Sequence, residues 1–398
     1  MARAANASAS NPRTYQGPAI LSYGFRPFFL LGSLYAGLAI LVWIPLFHGE
    51  LSLHSTFAPR DWHVHEMLYG YLPAVITGFL FTAIPNWTGR FPVRGAPLLT
   101  LVLVWIAGRI AVTLSADIGW LPAMVIDTAF LALTAAAAAR EIIAGKNGRN
   151  VKVVALIVLL FAGNLGFHIE AHVRGAAVDS VRLGIAVVIV LIALIGGRIV
   201  PSFTRNWLVR ENPGRLPIPF GRTDIAIVVF SAAALALWVI QPEGRVTAAV
   251  LAAAGVLHIA RLARWAGDRT LRDRLVLILH VGYAFVPVGF LLTALGALGV
   301  IPASAGIHAW MAGAAGVMTL AVMTRATLGH TGQELKASLP TQLIYAAVIV
   351  AAVVRICAVI HPAQSDLLLN VAAAAWVAAF LGFAGYFGPS LVGRTRRR

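Results

Sequence analysis

The chain has 398 residues, 59% hydrophobic and only 12% charged, with a mean hydropathy of +0.83. This balance excludes an ordinary soluble domain and predicts an all-α, multi-pass integral membrane protein. The net charge of +16 would suit nucleic acid, but the basic residues gather on one side of the spans, which excludes that partner and leaves the lipid bilayer.

Residues 1–20 are rich in Ala, Ser, Asn and Pro and read as a disordered cytoplasmic tail. A hydrocarbon core needs about 20 apolar residues per helix. Twelve such windows follow, at 28–47, 63–84, 97–115, 119–139, 153–173, 183–203, 224–241, 246–263, 275–300, 305–324, 340–360 and 367–388. They make 21–390 one transmembrane domain, with a basic cytoplasmic tail at 391–398. The first window has the length of a full span and no cleavage site after it, so it reads as a helix and not a signal. The longest internal loop, 204–223, divides the spans six to six, as in many transporters.

With the C-terminal arginines in the cytoplasm, 25 of the 31 Lys and Arg fall on that side and 4 on the other. Arg109 and Arg355 lie inside spans. This is the positive-inside asymmetry, with both termini cytoplasmic. The single cysteine, Cys357, excludes an intrachain disulfide and any multi-cysteine metal site.

A fixed period is also legible. Asn86-Trp87 and Asn206-Trp207 are 120 residues apart, as are Thr204-Arg205 and Thr324-Arg325. Together they suggest a pseudo-threefold repeat of four helices. Inward-running helices that simply end in arginine would give part of the same pattern.

Ionisable side chains at membrane depth are costly and read as functional. Span orientation brings His63, His65, His168, His172 and His308 to one level near the periplasmic face, with Glu66 and Glu170. His168 and His172 are four apart and share a helix face, so they are candidates to bind one ion. His63 and His65 diverge by about 200° on a regular helix and do not easily share a centre unless the helix begins at Val64 or later. Imidazoles suit copper, iron and zinc, and the carboxylates would fix their tautomers. His280 and His330 lie about 20 Å or more away, near the cytoplasmic face of a core about 30 Å thick. Gly282 beside His280 leaves room for a flat macrocycle. Arg26, Arg109 and Arg198 would pair with haem propionates, or equally with Asp127, Glu66 or lipid phosphate. His48, His54 and His361 read as solvated loop residues, and His258 as a cation at an inner helix end. Walker A, dinucleotide, H-E-x-x-H and C-x-x-C-H motifs are all absent.

The segments Gly24-Phe25-Arg26-Pro27-Phe28-Phe29, Trp62-His63-Val64-His65-Glu66-Met67, Pro85-Asn86-Trp87-Thr88-Gly89-Arg90 and Gly197-Arg198-Ile199-Val200-Pro201 resemble the NnrS family of bacterial membrane proteins. So do Phe203-Thr204-Arg205-Asn206, Leu279-His280-Val281-Gly282-Tyr283, Met323-Thr324-Arg325 and Leu328-Gly329-His330-Thr331-Gly332. The resemblance covers nearly the whole chain. It implies an inner-membrane protein with haem and copper that is tied to nitric oxide, denitrification and nitrosative stress. It also implies His63, His65, His168, His280, His308 and His330 as the cofactor-binding residues. Twelve spans with haem and copper are similar to the haem–copper oxidases as well, but the adjacent His-His pair of their copper site is missing. The leading reading is therefore a haem/copper protein that binds or turns over nitric oxide or a related nitrogen oxide, with an unidentified electron donor if it turns over. Two other readings stand beside it: a proton-coupled secondary transporter, and a metal or haem exporter.

Overall fold

The structure is a computed structural model that describes residues 15–393. Most of the expected N-terminal tail and most of the basic C-terminal tail therefore lie outside the described residues. The described chain is helical, without strands, and twelve helices are long and apolar enough to cross a membrane. They are α1 (Phe25–Phe47), α2 (Pro59–Thr88), α3 (Ala96–Thr113), α4 (Trp120–Ala144), α5 (Gly148–Arg174) and α6 (Asp179–Glu211). The second half comprises α7 (Arg222–Ile240), α8 (Arg245–Ala263), α9 (Arg274–Ala297), α10 (Ser304–His330), α11 (Leu339–Ile360) and α12 (Pro362–Leu391). The chain is a multi-pass membrane protein.

Hydropathy placed every span, and it misjudged one connection. The expected long loop at 204–223 begins only after Glu211, because α6 runs on through Pro201 for 33 residues. At 1.5 Å per residue such a helix is about 50 Å long, well beyond a 30 Å core. Apolar windows report where the bilayer ends, and the backbone ladder continues past it.

Three helices lie inside the bundle. The most apolar windows of α2, α6 and α10 are 78%, 67% and 67% buried, against 39–61% for the others. These three touch one another, and each is the second helix of a run of four. Around them the chain closes a ring in which each helix from α3 onward meets the next and α12 returns to α1. Arg26 of α1 donates to the carbonyls of Ser390 and Leu391 at the end of α12, which seals that closure. Leu103, Val125, Val229 and Leu343, on ring helices, are exposed. In a soluble protein they would be liabilities; here they face lipid.

Buried indoles lock neighbouring helices together. Trp105 donates to Gly70 O (2.9 Å), Trp310 to Val286 O (3.1 Å) and Trp376 to Ala36 O (3.1 Å). Two of the inner helices also leave regular α geometry. Residues Glu66–Tyr71 of α2 and Ala309–Ala315 of α10 form π-helical turns. In α2 the cause is local: Pro73 has no N–H to return to Tyr69, and the ladder widens just before it. Such turns re-aim the side chains beside them and recur at functional sites. Each one here directly follows a histidine, His65 or His308.

Close approach sets one clear test. A Cβ on Gly306 would lie 2.5 Å from the backbone nitrogen of Thr293 on α9, and backbone cannot swing aside. Gly306→Ala is expected to cost about 1–3 kcal/mol through overpacking, read as a lower thermal midpoint of the detergent-purified protein. An unchanged midpoint would show that α9 and α10 are not in this contact.

Candidate metal centre

Five helices direct polar side chains to one dry point in the first half of the bundle. They are Tyr35 (α1), His65 and Glu66 (α2), Arg109 (α3), Asp127 (α4), and Asn164 and His168 (α5). All but Tyr35 are buried. Burying such groups is tolerable only if each is paired, and the pairing is nearly complete. Asp127 Oδ2 accepts from Asn164 Nδ2 (2.9 Å) and His168 Nε2 (3.0 Å) and faces His65 Nε2 at 3.2 Å. Its Oδ1 accepts from Arg109 Nη2. The other arm of Arg109 donates to Glu66 Oε2 (2.5 Å), which also accepts from the Tyr35 hydroxyl. Glu66 Oε1 faces His65 Nδ1 at 3.0 Å.

The π turn makes this possible. It opens at Glu66, so consecutive residues His65 and Glu66 both reach inward. Gly70, in the same turn, admits the guanidinium: a Cβ there would sit 2.4 Å from Arg109 Nη1. Phe57 packs on both imidazoles (ring centroids 5.1 and 5.2 Å) and Phe167 on that of His65 (5.0 Å), which keeps water out.

Charge counting says what the site wants. Glu66 and Asp127 carry two negative charges and Arg109 one positive, so one negative charge is left over in a water-poor interior. A proton on an imidazole or a bound metal cation balances it. The donor geometry fits a metal. One ligand atom from each of His65, Asp127 and His168 lies within 4.8 Å of the others. Bonds of about 2.1 Å at tetrahedral angles place donors about 3.4 Å apart, so a small side-chain adjustment closes the set. Two imidazoles and one carboxylate, with further positions open, suit iron, copper or zinc. Glu66 then acts on His65 from behind, holding Nδ1–H and turning Nε2 to the centre.

The other expected site residues fall elsewhere. His63 points away from His65, as the helix spacing requires, and stacks on Trp43 (centroids 4.1 Å). His308 Nδ1 donates to Ser304 O (2.7 Å). His172 is not brought to its i–4 neighbour's centre; it is exposed and stacks on Trp120 (4.0 Å). Glu170 accepts from Ser180 N and Oγ and from Asp179 N, holding the start of α6 instead of a histidine. His280 Nε2 meets Thr204 Oγ1 at 2.8 Å, while its Nδ1 is buried without a partner. His330 packs on Tyr23 and Phe25. Arg198 donates to Asn150 Oδ1 (3.0 Å). Arg109 is engaged by the two carboxylates that sequence offered as its partners, Glu66 and Asp127.

Sequence reasoning gave Asn164 no role, though it lies one turn before His168, and a mid-span amide on a histidine face was a usable signal. It also took His258 for a helix-end cation. His258 is in fact fully buried between Ser231 Oγ (3.0 Å) and the Tyr283 hydroxyl (2.9 Å). Beside it Arg261, counted among the basic residues of the cytoplasmic side, is fully buried against Asp224 (2.8 Å). The second run of four thus has its own arginine–aspartate pair.

Removing one partner of a buried ionic network leaves the others unpaired and costs about 3–5 kcal/mol. Asp127→Ala is expected to lower the thermal midpoint sharply, whereas the double variant Asp127→Ala/Arg109→Leu recovers part of the loss. If the double variant is as damaged as the sum of the two singles, the pair is not coupled as described.

No curated protein matches the chain. A family model described as NnrS protein matches residues 19–395, nearly the whole chain, and the chain belongs to that family.

Proposed function

We propose that this protein binds or turns over nitric oxide, or a related nitrogen oxide, at a metal held by His65, Asp127 and His168, and so protects the cell from nitrosative stress. Family membership suggests the nitric-oxide-related role. The single observation that carries the site is the convergence of two imidazoles and a carboxylate on one dry point with a surplus negative charge. Copper is the metal this reading assigns there. Haem is the second expected cofactor. Two of its candidate histidines keep a buried ring nitrogen without a partner, Nδ1 of His63 and Nδ1 of His280, and either would hold its iron. They lie toward opposite faces, so one haem uses one of them.

When bound, copper or haem iron supplies an open position for a small diatomic ligand and one-electron redox chemistry. The chain does the rest. Phe57 and Phe167 admit an uncharged gas and exclude water. Asp127 orients both imidazoles through its shared oxygen. Glu66 fixes the tautomer of His65, and Arg109 offsets one of the two carboxylate charges, so that a single negative charge is left for the metal to balance. On the positive-inside reading, this centre lies toward the outer face of the bacterial cytoplasmic membrane.

The same network of buried carboxylates and histidines is what supports the rival reading, proton-coupled transport. The two readings differ in metal content. By elemental analysis of the purified full chain from metal-replete cells, His168→Ala is expected to lose the bound copper and His172→Ala to retain it. Glu66→Gln is expected to weaken copper binding 10–100-fold. Equal copper in the wild type and His168→Ala overturns the assignment. A wild type without copper or haem moves the transporter reading ahead.

A further inference from the structure

A cavity of about 490 Å³ opens where α2 ends, the chain turns into α3 and α4 stops. Arg90, Arg94 and Arg140 line it, together with Glu141, Phe91 and Pro97. The metal centre uses none of these residues. On the positive-inside reading this end of the bundle is the cytoplasmic one, at the level of the lipid headgroups. The walls are fixed from several sides. Helix α2 stops at Gly89, which takes a left-handed backbone (φ 70°) and donates its N–H to Pro85 O (2.8 Å). The end of α4 is held against it: Asn147 Nδ2 donates to Trp87 O, and a Cβ on Gly145 would lie 2.5 Å from Thr88 Cβ. The N–H of Gly95 donates to Leu21 O (2.9 Å) and pins the far end of the turn.

Glu141 is buried and holds two of the three guanidinia. Its Oε2 accepts from Arg90 Nε (2.6 Å), and its Oε1 from Arg140 Nε (2.9 Å) and Nη2 (2.8 Å). Arg94 lies over the Phe91 ring at 5.5 Å. Three positive charges therefore share the cavity with one negative charge, and two are left over. Both Nη nitrogens of Arg90 and Nη1 of Arg140 make no hydrogen bond among the described residues, so their donors stay available. Guanidinium forks match the oxygens of a phosphate group. Apolar neighbours say which kind of phosphate. Phe91 is 62% exposed in the cavity wall, and Ile143, two residues past Glu141, is 71% exposed. Leu99 and Leu103 follow on α3, exposed and four residues apart. A soluble phosphate gains nothing from such side chains, whereas a ligand with a charged head and an apolar tail uses both. We propose that Arg90, Arg94 and Arg140 hold the phosphate of an anionic phospholipid of the cytoplasmic leaflet, with its acyl chains along Leu99 and Leu103. Basic pockets at this depth are suited to lipid headgroups. The site does not rest on the metal reading of His65, since no residue is shared.

The probe is dioleoyl phosphatidylglycerol, titrated into the delipidated full chain in detergent and counted as bound lipid by native mass spectrometry. Dioleoyl phosphatidylcholine is the zwitterionic control, and glycerol 3-phosphate is the same headgroup chemistry without chains. Phosphatidylglycerol is expected to bind more tightly than either. Each arginine near the membrane surface contributes about fivefold to such binding. Arg94→Gln should therefore weaken it about fivefold and Arg90→Gln/Arg94→Gln about 25-fold. If the double variant does not fold, because Glu141 loses a partner, Arg94→Gln carries the comparison alone, since it leaves both Glu141 pairs intact. General attraction of a basic face for anionic lipid is separated by Arg222→Gln/Arg272→Gln, which removes two exposed charges from the same side, away from the cavity. That variant should bind as the wild type does. The proposal is overturned if it loses as much affinity as the cavity variants, if Arg94→Gln binds as the wild type does, or if the two lipids bind alike. Glycerol 3-phosphate binding as tightly as phosphatidylglycerol assigns the cavity to a soluble phosphate and overturns the lipid.

Discussion

The carboxylate of Asp127 accepts hydrogen bonds from α3 and α5 and faces His65 of α2, while Arg109 carries the link on to Glu66 and Tyr35. Five helices therefore meet through a network whose members are nearly all without water. Such a network is a poor way to gain stability, because taking charges out of water consumes most of what their attraction returns. Apolar residues of the same volume would pack these helices as well. Its retention at the centre of the first run of four makes sense if the surplus negative charge is used, and a bound cation is the simplest use. The π turn in α2 belongs to the same logic. It gives up regular backbone geometry to let His65 and Glu66 point inward together, with Gly70 yielding space to Arg109.

Most of the frame was legible in the sequence because hydropathy is a bulk property. A run of apolar residues has little choice but to span, and orientation then sorts histidines by depth. This is how His65 and His168 could be placed at one level from helices far apart in the chain. What the one-dimensional pattern could not supply was direction around each helix. His172 shares a face with His168 on an ideal wheel, yet Trp120 takes it from the centre, and Glu170 turns to the start of α6. His63 and His65 were correctly separated, since two residues of helix rotate the side chain by more than half a turn. Asp127 was visible only as a partner for Arg109. Its role as the hub depends on α3, α4 and α5 meeting behind α2, a matter of packing that no local spacing encodes. Arg261 shows the same limit: a basic residue near a span end reads as cytoplasmic, and here it is buried in the core against Asp224.

Consecutive turns of α2 serve different surroundings: His65 faces a site with one negative charge too many, and His63, two residues earlier, stacks on Trp43 of α1. The inner position of α2, α6 and α10 adds that any shift of one is felt by the other two.

The central claim is that His65 and His168 hold a metal. Pulsed electron paramagnetic resonance of the copper(II)-loaded full chain, with histidine labelled by 15N, tests it most directly. The account predicts hyperfine coupling to imidazole nitrogens from two histidines, with one set lost when His65 is replaced by Ala. A copper signal with no histidine coupling, or with coupling unchanged in that variant, would contradict it.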